Sequence, residues 1–343
     1  KEVLDKKNIV VRFDGLDTYA KVYLNDSLVL EANNMFRTWE FDCKKYLKTY
    51  NQITIHFESP INKTIPQFDA LSYQLPAVND QSENGGIGNK KVSVFTRKAG
   101  YHYGWDWGPR FVTSGIWKPV SLIAWDDLCI EEASVQTNEI TEKNAKVELQ
   151  LDVNSAKPQR ISYEIWLNKS LAKSISIPMA KGEQPVIIPF EIDNPKLWWC
   201  NGLGEPYLYE VKVIAKNEGV VVDSCQFNAG VRTIKVVHEK DSIGHSFYFK
   251  LNGVPVFMKG ANYIPADNFP SRVTDKRYKE IIQSASKANM NMLRIWGGGI
   301  YENDVFYDLC DKYGTLVWQD FMFACSLYPG DEEFLKNVKI EAT

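Results

Sequence analysis

After about residue 240 the chain changes its hydrophobic period, and that change restricts the fold more than any other feature. Before it, apolar and polar residues alternate at a spacing of two, the pattern of half-buried strands. Gln52–Phe57, for example, puts Ile53, Ile55 and Phe57 on one face and Thr54 and His56 on the other. Beyond it, apolar runs alternate with stretches whose apolar residues recur every three or four positions. Val254–Gly260 reads as a buried strand. Thr274 is an N-cap for a helix whose stripe is Tyr278, Ile281, Ile282, Ala285 and Ala288. Met292–Trp296 is a second strand. A helix from about Glu302 to Tyr313 buries Val305, Phe306 and Leu309 and stops at Gly314. Thr315–Gln319 is a third strand, and Asp331–Glu341 begins another helix. Such alternation means a parallel sheet. Its repeats of about thirty residues are the units of an eight-fold barrel, which needs roughly 250 residues. About three units fit before Thr343, so the expectation is a chain that stops partway through a (β/α)8 TIM barrel.

The preceding residues read as two β-domains, giving a multi-domain β plus α/β chain. Residues 1–126 form the first, an antiparallel sandwich of jelly-roll type. Its strands are Asn8–Phe13, Tyr19–Leu24, Leu28–Leu30, Gln52–Phe57, Val92–Thr96 and Trp117–Ala124, with no amphipathic helix among them. The first strand starts close to Lys1, so earlier strands of the sandwich are expected to be missing. Residues 127–237 form the second, with strands Ala145–Val153, Ile161–Leu167, Val186–Phe190, Leu208–Ala215 and Val220–Phe227. This rhythm over about a hundred residues suits an immunoglobulin-like sandwich. Residues 238–343 hold the barrel units.

Composition narrows the function. The net charge is −3, with no basic stripe for nucleic acid, and no run reaches the eighteen apolar residues of a membrane span. Neither nucleic acid nor membrane is expected as a partner. The six cysteines contain no Cys-x-x-Cys pair, which argues against a disulfide scaffold or a zinc site. The charged start, Lys1–Asn8, gives no signal peptide, and the missing initiator Met suggests processing or truncation upstream.

Tyr101–Phe111 is the segment that points to chemistry. Five aromatic rings, an imidazole, a carboxylate and a guanidinium share eleven residues with Gly104, Gly108 and Pro109. Sugar rings lay apolar C–H faces on aromatic rings and present hydroxyls to fixed charges, while glycines let backbone turn and approach closely. The competing reading is an aromatic-rich corner of a β-sandwich.

Several motifs resemble glycoside hydrolase family 2. Phe13–Asn25 is similar to its sugar-binding domain. Pro195–Trp199 and Asn201–Tyr209 resemble the end of its immunoglobulin-like domain, and Gly230–Ile234 and Leu251–Asn262 the approach to its barrel. Tyr103–Arg110, Arg294–Tyr301 and Val317–Cys325 resemble the β-mannosidases of that family. The resemblance implies a retaining, exo-acting enzyme that removes terminal β-D-mannose from a mannose-containing oligosaccharide. Such enzymes use two carboxyl groups about 5 Å apart, one protonating the leaving oxygen and one attacking the anomeric carbon. The resemblance puts these glutamates on strands 4 and 7, the first in an Asn-Glu pair. Asn138-Glu139 and Asn217-Glu218 belong to the second β-domain. No catalytic residue is therefore expected within this chain, and the fragment alone is expected to be inactive. Protonation and carboxylate attack imply no metal or organic cofactor. The resemblance leaves compartment open among periplasm, secretion and lysosome.

The expected substrate-binding residues are Trp105, Asp106, Trp296, Asp320 and Asn262. Asp106 would accept bonds from vicinal hydroxyls, with Trp105 walling the ring. The resemblance implies that this loop closes the non-reducing end of the site. Asn262, Trp296 and Asp320 end the three barrel strands, where active-site groups project. Trp296 would floor a pyranose above Gly297-Gly298-Gly299, or be a core tryptophan before a flexible loop. Asp320 would hold a hydroxyl or bond backbone amides, and Asn262 has a structural alternative. For Lys259 and Arg294 ion pairing within the barrel is the simpler role, and for His102 a structural one. Two other readings stay open: a non-catalytic carbohydrate-binding protein, and a family 2 enzyme for another sugar, β-glucosaminidase or β-galactosidase.

Overall fold

A computed structural model describes residues 3–342. Two three-stranded antiparallel sheets face each other in the first part. One runs Trp39–Asp42, Asn8–Phe13, Val120–Trp125, and the other Ser27–Asn33, Tyr19–Leu24, Ile53–Glu58. Ile9, Val11, Phe13, Val22 and Leu24 fill the space between them. The sandwich is open along one side. Leu122 lies directly across from Val11 and so faces the same way, yet it is 50% exposed where Val11 is 4% exposed. Ile53, across from the buried Leu24, is likewise exposed.

Three readings of this region are corrected. A helix, α1 (Pro60–Ala70), does lie in it. Ser59 caps it by accepting a bond from the Asn62 amide, and Pro60 occupies the first turn, where its missing N–H costs nothing. Val92–Thr96 is not a strand but flanks a short 3-10 turn at Ser93–Phe95, held where the Asp80 carboxylate accepts from the Ser93 amide at 2.9 Å. The last strand is Val120–Trp125. Trp117 lies outside it, its indole packed over Gly15 and donating to the Met35 carbonyl.

The second sandwich pairs a three-stranded sheet (Gly182–Asp193, Asn144–Ser155, Leu128–Ile140) with a four-stranded one (Ser170–Met179, Gln159–Leu167, Tyr209–Asn217, Val220–Ala229). Leu149, Val153, Ile161, Tyr163, Val211 and Val213 are among the fully buried residues of its core. Leu128–Ile140 and Ser170–Met179 were not foreseen. Charged and small polar residues dilute their apolar pattern.

In the third part, Gly260–Tyr263, Met292–Ile295 and Leu316–Gln319 form a parallel sheet in sequence order. The connections are α2 (Asp275–Lys287) and α3 (Asp304–Tyr313), and α4 (Glu332–Glu341) follows. Thr274 caps α2 by accepting from the Arg277 amide, and Gly314 ends α3 in the left-handed region at φ 70°. Tyr278, Ile282, Leu293, Ile295 and Phe306 bury one face of the sheet against the helices. No barrel closes among the described residues. The expected strand Val254–Gly260 is corrected: Val254–Val256 runs antiparallel to Tyr248–Leu251, and the parallel sheet begins at Gly260. Asn252 and Gly253, at φ 50° and 81°, make the tight turn of that hairpin.

Candidate functional site

The Trp105–Gly108 loop is a tight turn anchored from below. The Trp105 amide donates to the Gly108 carbonyl at 2.9 Å. Gln81 donates to the Trp105 carbonyl at 3.0 Å. Gly104 is required here, because at φ 104° an added Cβ would lie 2.5 Å from the Gln81 side chain. Arg110 reaches under the loop to Asp80 at 2.7 Å and to the Tyr103 carbonyl at 2.9 Å, both side chains being buried. Asp106 sits at the tip, exposed, with no hydrogen bond or ion pair to any described residue.

A buried polar group underlies the turn that leads into this loop. Asp17 bonds Lys98 and accepts from Thr113 at 3.0 Å. Burial pushes Lys98 below the usual lysine range, opposed by Asp17. Burial, and then the nearby Lys98 charge, hold His102 well below the ordinary histidine value, so its ring is neutral. Its Nε2 is buried without a hydrogen-bond partner among the described residues. This environment supports the structural role for His102.

Asn262 and Arg294 are paired across neighbouring parallel strands and face the side of the sheet away from the helices. Asp320 follows the third strand. Arg294 bonds Asp320 twice, Nη2 to Oδ2 at 2.7 Å and Nε to Oδ1 at 3.2 Å, and donates from Nη1 to the Asn262 Oδ1 at 3.1 Å. Asp320 Oδ2 also accepts from the Gly297 amide at 3.2 Å. The three polar residues thus form one chain across the strand ends, with Arg294 at its centre. Arg294 has the ion-pairing role expected of it. Asp320 bonds a backbone amide, as its structural alternative has it, and also holds the Arg294 guanidinium.

Trp296 is where the two halves meet. Its ring centroid lies 4.7 Å from that of Trp105, edge to face, and 6.2 Å from that of Trp107. Gly298 lets the indole lie flat on the loop: a Cβ there would come within 1.9 Å of its Cη2. The loop after the first parallel strand completes the contact. Asn268 donates to the Pro109 carbonyl at 3.2 Å, and Phe269 stacks on Phe111 at 5.4 Å. Trp105, Asp106, Trp296, Asp320 and Asn262 therefore belong to one region, joined through Trp296 and the Asp320–Arg294–Asn262 chain. Gln81, Asp80 and Asn268 were missed. Nothing local marks them, for each acts on a loop distant in sequence.

Comparison with known proteins identifies the domain that carries the Trp105–Gly108 loop. Residues 1–118 match the galactose-binding-like domain of glycosyl hydrolase family 2, and residues 129–232 match the domain described as glycosyl hydrolases family 2. The chain belongs to glycoside hydrolase family 2. This family 2 chain is 38% identical over 350 residues to a β-mannosidase of Bos taurus and 37% identical over 345 residues to β-mannosidase B of Aspergillus niger. The matches cover 98% and 99% of the chain but 39% and 40% of those relatives. The chain thus spans about two-fifths of their length. A crystal structure of β-D-mannosidase from Dictyoglomus thermophilum superimposes with a TM-score of 0.90 at 38% identity, covering 100% of this chain and 41% of that one. The exo-chitosanase CsxA of Amycolatopsis orientalis shares the fold at a TM-score of 0.69 and 18% identity, over 92% of this chain and 34% of that one.

Proposed function

We propose that this chain is the front part of an exo-acting retaining β-mannosidase, cleaving terminal β-D-mannose from the non-reducing end of oligosaccharides. The observation that supports the reading is the contact of Trp105, the residue before Asp106, with Trp296 at 4.7 Å, Trp296 directly following the second parallel strand. In this reading Trp105 and Trp296 wall one pyranose and Asp106 accepts bonds from its vicinal hydroxyls. Asn262, Arg294 and Asp320 form the polar floor. The catalytic glutamate pair is supplied from outside residues 1–343.

The same reading takes residues 238–343 as the start of a (β/α)8 barrel. The sheet face bearing Asn262, Arg294 and Trp318 lines a cavity of ≈ 370 Å³ with Met258 and Met292, as the interior of an unfinished barrel would. Residues 1–126 and 127–237 are then the jelly-roll and immunoglobulin-like domains. The exposure of Leu122 and Ile53 supports a first domain that further strands complete. Mannose is favoured over other sugars by the relatives at 37% and 38% identity, all named as β-mannosidases.

The test is to assay the full-length protein on aryl β-mannoside, β-galactoside and β-glucosaminide. A clear preference for the mannoside is expected. Asp106→Ala should lower kcat/KM by about 100-fold, the scale of losing charged hydrogen bonds to substrate. The melting temperature should hold, because an exposed side chain without partners contributes little. Equal activity on all three sugars, or an equal loss of stability and turnover in the variant, counts against the reading.

A further inference from the structure

We propose a second saccharide-binding site, in the cavity of ≈ 760 Å³ between the first sandwich and α4. None of its lining residues belongs to the Trp105–Gly108 loop or to the Asn262, Arg294, Trp296 and Asp320 group. Its volume lies within the range of small-ligand sites, roughly 300–1,000 Å³.

The chemistry of the walls selects the ligand. Tyr19, Tyr73 and Phe95 from the first part face Tyr328 and Phe334 from the loop before α4 and from α4 itself. Aromatic faces on both sides suit a ligand with apolar C–H faces. Three amides line the same space: Asn337 donates to Asn33 at 3.1 Å, while Gln67 bonds no described residue and is open to a ligand. The cations are already neutralised. Lys21 lies 3.8 Å from Glu31 and 3.6 Å from Glu58, Lys63 bonds Glu58 at 3.0 Å, and Arg97 bonds Glu341 at 2.5 Å. Asp331 is engaged in capping α4, accepting from the Phe334 amide at 2.9 Å. The cavity therefore offers no unpaired cation to an anion. The lining sets three cations against four carboxylates, Glu31, Glu58, Asp331 and Glu333, which disfavours an anion, and a neutral, hydroxyl-rich ligand finds both donors and acceptors among them. Tyr73 is 65% exposed at this cavity and makes no hydrogen bond or ring contact to any described residue. A ring held out in this way is free to stack on a sugar. The cavity has room for more than one pyranose, so an oligosaccharide is the class expected.

This site stands independently of the hydrolysis proposed above. The probe is β-1,4-mannotriose, titrated by calorimetry into the chain and its variants. Tyr73→Ala and Gln67→Ala change exposed side chains and leave the core intact. Each should weaken trisaccharide binding about ten-fold, which corresponds to the aromatic and hydrogen-bond contributions of single contacts. Asp106→Ala should leave this binding in place. No trisaccharide binding by the wild-type chain, or binding indifferent to both Tyr73→Ala and Gln67→Ala, overturns the second site. Binding abolished by Asp106→Ala alone also overturns it, while supporting the first. Binding that responds to Tyr73 and Gln67 in a full-length protein without mannosidase activity upholds the second site and rejects the proposed reaction.

Discussion

Gly298 carries more of the site than its size suggests. The Trp296 indole occupies the space a Cβ would need, with 1.9 Å between them. Gly298→Ala therefore has to push the indole off the loop and toward Trp105, 4.7 Å away. We expect binding of a mannoside inhibitor to fall by at least ~10-fold, with the near-ultraviolet circular dichroism of the tryptophan cluster altered. Unchanged affinity and spectrum would show that Trp296 is not a wall of the site. Legibility at this scale was uneven. The Gly297-Gly298-Gly299 run after an apolar strand marked the loop in sequence, and Tyr101–Phe111 marked its partner. Arg294 as the centre of a hydrogen-bonded chain was less visible, because that role depends on strand register bringing Asn262 beside it and on Asp320 lying past the end of the third strand.

The turn between the glycine loop and α3 carries a titratable support. Tyr278 of α2 donates to the buried Glu302 carboxyl at 2.5 Å. Burial raises Glu302 to about 7, with the Tyr278 bond and the Lys118 charge opposing. Its unfolded value is near 4.3, so folding favours the protonated form. That stabilisation is fully present below about pH 4 and is lost as pH rises through 7. The difference is on the order of 3 kcal/mol. Glu302→Gln, which keeps an acceptor for Tyr278, should flatten the stability profile between about pH 4 and 8 and raise the melting temperature at pH 8. A variant whose profile parallels the wild type would remove Glu302 as the source. Elements with strong local signals were read correctly, among them α2 with its Thr274 cap and α3 with its Gly314 stop. The misread ones had competing signals. Ser59-Pro60 announced α1 inside a β pattern, and Asn252-Gly253 announced a hairpin before Val254 that a continuous apolar run obscured.

Across the whole molecule, one buried ion pair joins the first sandwich to the last helix. Arg97 bonds Glu341 through both nitrogens of its fork, at 2.5 and 2.8 Å, and donates to the Met322 carbonyl at 2.9 Å. Phe323 covers the guanidinium at 4.3 Å, and Tyr301 and Asn34 donate to the same carboxylate. Both side chains are almost fully buried, so removing one leaves the other charge uncompensated. Glu341→Ala should cost about 3–5 kcal/mol in chemical denaturation and expose α4 to hydrogen exchange before the sandwiches. A loss under about 1 kcal/mol would show that the pair does not couple these parts. Such a bridge spans more than two hundred residues of sequence and has no local signature. The division into two sandwiches and a parallel sheet, by contrast, followed from periodicity alone.

The central claim is that a loop of the first sandwich and the ends of the parallel strands hold one sugar between them. A crystal structure of the full-length protein with a mannose-configured inhibitor tests it directly. We expect the pyranose packed against the corner that Trp105 and Trp296 form together, with Asp106 within 3 Å or so of two adjacent hydroxyls. An inhibitor bound with Asp106 pointing to solvent, or bound away from Trp296, would contradict the account.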